Sequence, residues 1–221
     1  MSRRPAAGTQ ALGYDPQVAI AHLRAADPVL AWLLDLHGDP DFEPDPERAS
    51  RDHYAALLRA IIGQQLSTKV AAVLWGRLLE RFGGRAPTPQ QVLDDDPEEL
   101  KPAVGLSRAK TTYLRSLAEH VLSGELDLDH AATLPDEELI TALTAVKGIG
   151  VWSAQMFLMF QLERPDVLAV GDLGVRRGAQ LAYGMEELPT TAELTALGEP
   201  WAPYRSVACR VLWRSLDNAP G

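Results

Sequence analysis

The chain has 221 residues with 30 acidic and 21 basic side chains, so its formal net charge at pH 7 is −9. This length allows one large domain or two small ones with a real core, and the charge argues against an extended basic surface. No apolar run is long enough to cross a membrane, and the N-terminus lacks an apolar signal core. The single cysteine, Cys209, excludes internal disulfides and predicts a cytoplasmic protein.

Most of the chain shows the three- and four-residue apolar spacing of helices, and no stretch alternates convincingly with period two. Residues 1–13 are predicted to be disordered, and residues 39–46, rich in Pro and Asp, form a loop. Residue types that favour helix starts then follow at Thr88, Asp96, Ser107 and Thr190. The sequence therefore predicts an all-α fold.

A tight glycine turn, Gly148-Ile149-Gly150, separates two apolar helical patterns. The first helix is predicted to follow Pro135 and to end at Gly148, and the second to cover residues 151–161. The unpaired N–H groups that open a helix suit an anion, and Lys147 adds a positive charge beside them. An ordinary helix–turn–helix connection with a glycine C-cap fits the same residues, so the two interpretations stay open here.

An isolated acid, Asp172, lies between Gly171 and Gly174 about twenty residues after the glycine turn. A single carboxylate near a phosphate-binding turn could catalyse a reaction at a nucleotide. An Asp in this position is equally a plain N-cap for a helix over residues 173–183. The two roles are compatible, because N–H groups that bond a carboxylate favour its ionised form.

Four segments, which begin at residues 60, 146, 166 and 201, follow one another in the order found in a known family. They resemble segments of the helix-hairpin-helix DNA glycosylases, in particular of the AlkA-type 3-methyladenine branch. AIIGQQLS at 60–67 resembles an early helix end and loop, and VKGIGVWSA at 146–154 resembles the hairpin. DVLAVGD at 166–172 resembles the segment that ends in the catalytic aspartate. WAPYRS at 201–206, followed by Trp213, resembles the closing helix. The resemblance runs from about residue 52 to residue 217.

The resemblance implies a two-lobed helical fold, with residues 14–48 and 166–221 in a terminal lobe and residues 49–165 in a central lobe. It implies a monomer that binds damaged double-stranded DNA and hydrolyses the N-glycosidic bond of alkylated purines, such as 3-methyladenine and 7-methylguanine. Asp172 is then the catalytic residue.

The resemblance also assigns three further groups of residues. The phosphate-binding residues are Lys147, Gly148, Ile149, Gly150 and Val151. The wedge loop, which fills the gap when a nucleotide flips out, consists of Gln64, Gln65 and Leu66. The base-pocket residues are Trp152, Met156, Tyr204 and Trp213. Core packing and a surface helix end are the structural alternatives for the pocket and the wedge. Phe157, Phe160 and Trp75 are assigned to the core.

The chain departs from its relatives in three ways. Only about fifty residues precede the helical core, without strand alternation, so the chain is expected to be a compact variant without the β-rich N-terminal domain of the AlkA-type enzyme. Bifunctional relatives carry a lysine nucleophile where this chain has Trp152, which cannot form a Schiff base, so no lyase activity is expected. One cysteine cannot ligate the iron–sulfur cluster of other relatives, which disfavours an iron–sulfur endonuclease.

The sequence predicts no metal site, because the five histidines show no metal-ligand spacing. The resemblance implies that no cofactor is required, although the hairpin of the family can hold a monovalent cation through backbone carbonyls. A small positive footprint on the acidic protein is expected near the site, from Lys147, Arg176, Arg177, Arg205, Arg210 and Arg214.

Two alternative functions remain open at this stage. One is another excision specificity on the same fold, for hypoxanthine, ethenoadenine or uracil. The other is a non-catalytic DNA-binding module, which would have no need of Asp172.

Overall fold

The computed structural model describes residues 13–42 and 52–217, and within these ranges it contains α-helices, two short 3-10 helices and no strand. The predicted all-α fold is confirmed. The α-helices are α1 Pro16–Ala26, α2 Pro28–His37, α3 His53–Gly63, α4 Thr68–Arg81, α5 Pro89–Asp94, α6 Pro97–Val104, α7 Arg108–Ser123, α8 Asp136–Ala145, α9 Val151–Phe160, α10 Leu173–Ala182, α11 Thr191–Leu197 and α12 Arg205–Asp217. The 3-10 helices are Ala131–Thr133 and Glu199–Trp201.

Two expectations concern residues outside the described ranges. The predicted disorder of residues 1–13 falls outside them apart from Gly13, and the predicted loop at 39–46 does so from residue 43. Among the described helices, none combines the length and the apolar character that a membrane span requires.

The chain divides into two compact units. The terminal unit contains Met1–Ala49 and Leu158–Gly221, and the central unit contains Ser50–Phe157. The division on the C-terminal side falls inside α9, between Phe157 and Leu158, whereas the sequence-based division was placed after residue 165.

Side-chain oxygens cap the N-termini of most helices and explain where these helices begin. The predicted starts at Thr88, Asp96, Ser107 and Thr190 are confirmed. Thr88 and Thr190 form full capping boxes with Gln91 and Glu193. The other side-chain caps are Asp15, Asp27, Asp52, Ser67 and Asp172.

One helix end was predicted wrongly. Helix α8 ends at Ala145, three residues before the predicted Gly148. Val146 takes extended backbone angles, which end the helix, and its side chain is buried in the core. Helices α9 and α10 each end one residue before their predicted last residue.

The core of the terminal unit forms where α12 packs against α10 and α2. Gly178 of α10 permits the close approach of α12, since a Cβ on this residue would lie 2.6 Å from the carbonyl oxygen of Leu212. In the central unit, α3 packs on α4 and α7, and α5 packs on α7. The tight α10–α12 crossing determines which residues of these two helices can meet.

A buried carboxylate, Asp27, ties together three parts of the terminal unit. Its Oδ1 accepts hydrogen bonds from the N–H groups of Val29 and Leu30 at the start of α2. Its Oδ2 accepts hydrogen bonds from the hydroxyl of Tyr183 and from Nε1 of the fully buried Trp201, the latter at 2.8 Å. Burial and this bond to Asp27 raise the pKa of Tyr183, so the phenol stays a donor.

We predict that Asp27→Ala lowers the free energy of unfolding by about 3 kcal/mol, because it removes a helix cap and leaves buried donors without an acceptor. The matched control is Asp15→Ala, which removes the exposed cap of α1 and should cost only about 1 kcal/mol. Urea unfolding followed by circular dichroism measures both values. Equal losses in the two variants would contradict the role assigned to Asp27.

Candidate active site

The N-terminal end of α12 holds the segment that leads to Asp172. Arg205 donates from Nε and Nη2 to the two carboxylate oxygens of Asp166, each at 2.7 Å. The Ser206 hydroxyl donates to the carbonyl of Arg164 at 2.7 Å and accepts from the N–H of Val167 at 2.9 Å. The buried Ser206 thus replaces backbone partners that this irregular segment lacks.

The same face of α12 carries Cys209 and Trp213, one and two turns further along. Cys209 is fully buried, and burial raises the pKa of its thiol to about 12. It therefore behaves as a small apolar residue. Trp213 lies where α12 passes the start of α10.

The carboxylate of Asp172 is 9% exposed and caps α10, which confirms the N-cap interpretation. Its Oδ1 accepts hydrogen bonds from the N–H of Val175 at 2.7 Å and from Nε1 of Trp213 at 2.8 Å. Both donors meet the carboxylate at the N-terminal end of α10, where the helix dipole is positive. The arrangement holds a carboxylate in one orientation, as a preorganised electrostatic catalyst requires.

Gly174 makes the contact between Trp213 and Asp172 possible. A Cβ on Gly174 would lie 2.8 Å from Cδ1 of Trp213 and 3.0 Å from Oδ1 of Asp172, so any side chain would push the indole and the carboxylate apart. Gly171, on the other side of Asp172, has open space around its Cβ position.

Trp213 also belongs to an aromatic stack in the terminal unit. Its ring stacks on Phe160, with centroids 5.8 Å apart, and the guanidinium of Arg210 lies 4.7 Å from the Phe160 centroid. Phe160 is only half-buried, so its assignment to the core was wrong, whereas Phe157 is buried as predicted. Tyr204 is half-buried, and its ring packs against Tyr14 and His22, with centroids 6.1 and 5.4 Å away.

The other two predicted pocket residues belong to the central-unit part of α9. Trp152 is 50% exposed, and Met156 is half-buried one turn later. Residues four apart share one face of a helix, so these two side chains line the same side of α9.

The glycine turn is fastened to α7. Gly148 has a φ of +87°, and a Cβ on it would lie 2.3 Å from the ring of Tyr113, so both its conformation and its packing require glycine. The N–H of Lys147 donates to the Ser116 hydroxyl, and that of the buried Ile149 donates to the Val146 carbonyl.

Only part of the predicted phosphate-binding turn has N–H groups available for an anion. Because the N–H groups of Lys147 and Ile149 are used within the chain, Lys147 can contribute its exposed ammonium and Ile149 serves as an anchor. The N–H groups of Gly148, Gly150 and Val151 bond to no other described residue. Gly150 and Val151 are exposed and open α9, where N–H groups suit an anion.

The predicted wedge loop splits into two parts. Gln64 is half-buried, and its side-chain amide donates to the carbonyl of Gly148 at 2.7 Å. Gln65 and Leu66 are exposed, and Gln65 has a φ of +59°. Leu66 is therefore exposed and its wedge role stays a prediction, whereas Gln64 binds the hairpin.

Most of the arginines expected in the positive footprint hold the terminal unit together instead. Arg205 pairs with Asp166, while Nε of Arg176 donates to the Pro189 carbonyl. Arg210 and Arg214 donate to the backbone carbonyls of Asp41, Met159 and His37. These four arginines therefore support the fold, and the positive footprint stays a prediction.

Sequence reasoning missed several residues that build the site, namely Lys110, Ser116, Asp166, Gly174 and Ser206. Gly174 lies two residues after Asp172, and the sequence assigns it no role. The structure shows that it leaves room for the contact between Trp213 and Asp172. Asp166 bonds to Arg205, and Ser206 bonds to Arg164 and Val167. Each of these pairs spans 39 or 42 residues of the chain, so no local pattern in the sequence signals it.

Comparisons with known proteins agree with this geometry. The sequence matches the family described as HhH-GPD superfamily base excision DNA repair protein over residues 58–203. DNA-3-methyladenine glycosylase 1 of Schizosaccharomyces pombe is 34% identical over 200 residues, which are 90% of this chain and 86% of that protein.

Two solved structures share the fold at similar levels of identity. A DNA-3-methyladenine glycosidase from Bacillus halodurans superposes with a TM-score of 0.78 at 36% identity, covering 90% of this chain and 89% of that one. The Schizosaccharomyces pombe 3-methyladenine DNA glycosylase in complex with abasic DNA gives a TM-score of 0.76 at 33% identity, covering 91% and 98%. The chain belongs to the HhH-GPD superfamily of base excision DNA repair proteins.

Proposed function

We propose that the protein is a monofunctional DNA glycosylase that hydrolyses the N-glycosidic bond of alkylated purines, 3-methyladenine and 7-methylguanine, in double-stranded DNA. One observation carries this proposal: within a base excision repair fold, Asp172 is a buried carboxylate fixed by the N–H of Val175 and the indole of Trp213. Related proteins named DNA-3-methyladenine glycosylase support the choice of base.

Asp172 acts on the sugar rather than on the base. As the glycosidic bond breaks, C1′ of the deoxyribose gains positive charge, and a fixed carboxylate in a buried position stabilises that charge. The same carboxylate orients or deprotonates the attacking water. Alkylation at N3 or N7 makes the purine a cationic leaving group, so a separate acid catalyst is not needed.

Aromatic faces provide selection by charge. A cationic purine is attracted to the face of a Trp ring, whereas an undamaged neutral purine lacks this attraction. We assign this role to Trp152 and Trp213. The ring of Phe160 already contacts both Arg210 and Trp213, and we assign it a supporting role.

The proposed reaction uses water and requires no cofactor. A monovalent cation at the hairpin is compatible with the carbonyls of Val146 and Gly148, because each accepts one hydrogen bond and retains a second lone pair. We propose a monomer that works in the cytoplasm on chromosomal DNA, in keeping with its single, buried, free cysteine.

The direct test is to incubate the protein with methylated DNA and to identify the released bases by chromatography. Release of 3-methyladenine and 7-methylguanine supports the proposal. Release only of hypoxanthine, ethenoadenine or uracil from defined duplexes would assign another specificity. DNA binding without any base release would make the protein a non-catalytic binding module.

The contact between Trp213 and Asp172 generates a prediction about rate. Gly174→Ala should lower single-turnover excision about ten- to a hundredfold, the loss expected when one hydrogen bond to a charged group breaks. Trp213→Phe should do the same, since it keeps an aromatic face but removes the N–H donor.

The matched control is Gly171→Ala, in the same segment but with open space around the new methyl group. It should retain wild-type excision. Wild-type rates in Gly174→Ala and Trp213→Phe would show that Asp172 does not need the indole.

A second prediction concerns lyase activity. Because Trp152 occupies the position of the lysine nucleophile, sodium borohydride should trap essentially no covalent complex between the protein and DNA. A bifunctional glycosylase, run in parallel on its own substrate, gives the positive control. Efficient trapping of this protein would refute the monofunctional assignment.

A further inference from the structure

Lys110 of α7 closes the C-terminal end of α3. Its ammonium donates to the carbonyl oxygens of Ile62 at 2.6 Å and of Gln64 at 2.8 Å. A cation in this position satisfies carbonyls that the helix leaves open and complements the negative end of the helix. Partial burial lowers the pKa of Lys110, so the protein maintains this charge at some cost in solvation.

The chain turns sharply directly after this point. Gln65 adopts a left-handed backbone conformation that a residue other than glycine seldom takes, and the N–H of Leu66 donates back to the Gly63 carbonyl at 3.1 Å. Such a conformation persists only when its surroundings enforce it. The result is an exposed tip, Gln65 and Leu66, held by contacts at its base.

Gln64 connects this base to the glycine hairpin, since its side-chain amide donates to the Gly148 carbonyl. Gly148 is in turn seated on Tyr113 of α7, the same helix that carries Lys110. The tip and the hairpin therefore share one support within the central unit.

We propose that Lys110 and Gln64 are positioning residues that fix the tip, Gln65 and Leu66, to the hairpin at Gly148–Val151, so that wedge insertion and phosphate grip operate as one rigid unit. This inference rests on the proposed function. A tip that is already ordered loses little conformational entropy when it enters the duplex, and a braced wedge therefore favours the flipped nucleotide. Neither residue touches the reacting atoms.

The effect of losing these contacts on the excision rate depends on the free energy needed to flip the damaged base out of the duplex. A lesion in a stable pair flips unfavourably, so its excision rate follows the flipping equilibrium, whereas a mismatched lesion flips at lower cost. Loss of the brace should slow excision of the paired lesion more than excision of the mismatched one. A defect in general folding or in the chemical step would slow both equally.

The experiment compares full-length variants in single-turnover excision from duplexes with one 7-methylguanine opposite either cytosine or thymine. Gln64→Met keeps the length of the side chain but removes its donor, and Lys110→Met removes the ammonium. Lys110→Arg tests for rescue by a similar donor. Lys101→Met is the charge-matched control, because the ammonium of Lys101 pairs with the carboxylate of Glu98 rather than with a carbonyl of α3.

For the cytosine duplex, we expect roughly a three- to tenfold loss in Gln64→Met and a ten- to hundredfold loss in Lys110→Met, in line with one neutral bond and two charge-assisted bonds. For the thymine duplex, the fold loss in excision rate of each variant should be less than a third of the loss on the cytosine duplex. Lys110→Arg should recover most of the rate, and Lys101→Met should match the wild type.

Equal losses on both duplexes, or no loss on either, would overturn the inference. Thermal unfolding of each variant is measured beside the rates, and Gln64→Met decides the matter if Lys110→Met does not fold. A wild-type protein that releases 7-methylguanine from neither duplex would instead refute the proposed function itself.

Discussion

The site depends on a single oxygen atom, Oδ1 of Asp172, which accepts one hydrogen bond from the backbone of α10 and one from the indole of α12. The two N–H groups fix the direction of the carboxylate, which lies at the N-terminal end of α10. The same carboxylate of Asp172 thus caps α10 and is the proposed catalytic group.

Helix α12 links the fold to the chemistry. Its first residues, Arg205 and Ser206, hold the segment before Asp172, and Trp213 two turns later reaches the carboxylate. The contact between Trp213 and Asp172 requires α10 and α12 to approach closely, which the glycines at 174 and 178 permit. Substitutions where α10 and α12 cross should therefore affect catalysis even when they lie far from Asp172 in the sequence, because they change the position of its carboxylate.

The sequence predicted the helices well, because caps such as Thr88 and Thr190 and the apolar spacing act locally. It predicted Asp172 and the hairpin because their motifs are short and ordered. It could not show that Gln64 bonds to Gly148 or that Lys110 closes α3, since these pairs lie 84 and 46–48 residues apart. The partners of Arg205 and Arg210 were hidden in the same way, and both arginines were therefore counted as available to DNA.

The central claim is that the negative charge of Asp172, and not merely its capping of α10, carries the reaction. The most direct measurement is single-turnover release of 3-methyladenine or 7-methylguanine by Asp172→Asn, which keeps the size and an acceptor for the cap but lacks the charge. Loss of a preorganised electrostatic group predicts a fall of about a hundred- to a thousandfold, and loss of the water-orienting base roughly another hundredfold. Binding to abasic-site DNA should stay unchanged or become tighter. Excision near the wild-type rate would contradict the account and leave Asp172 as a helix cap alone.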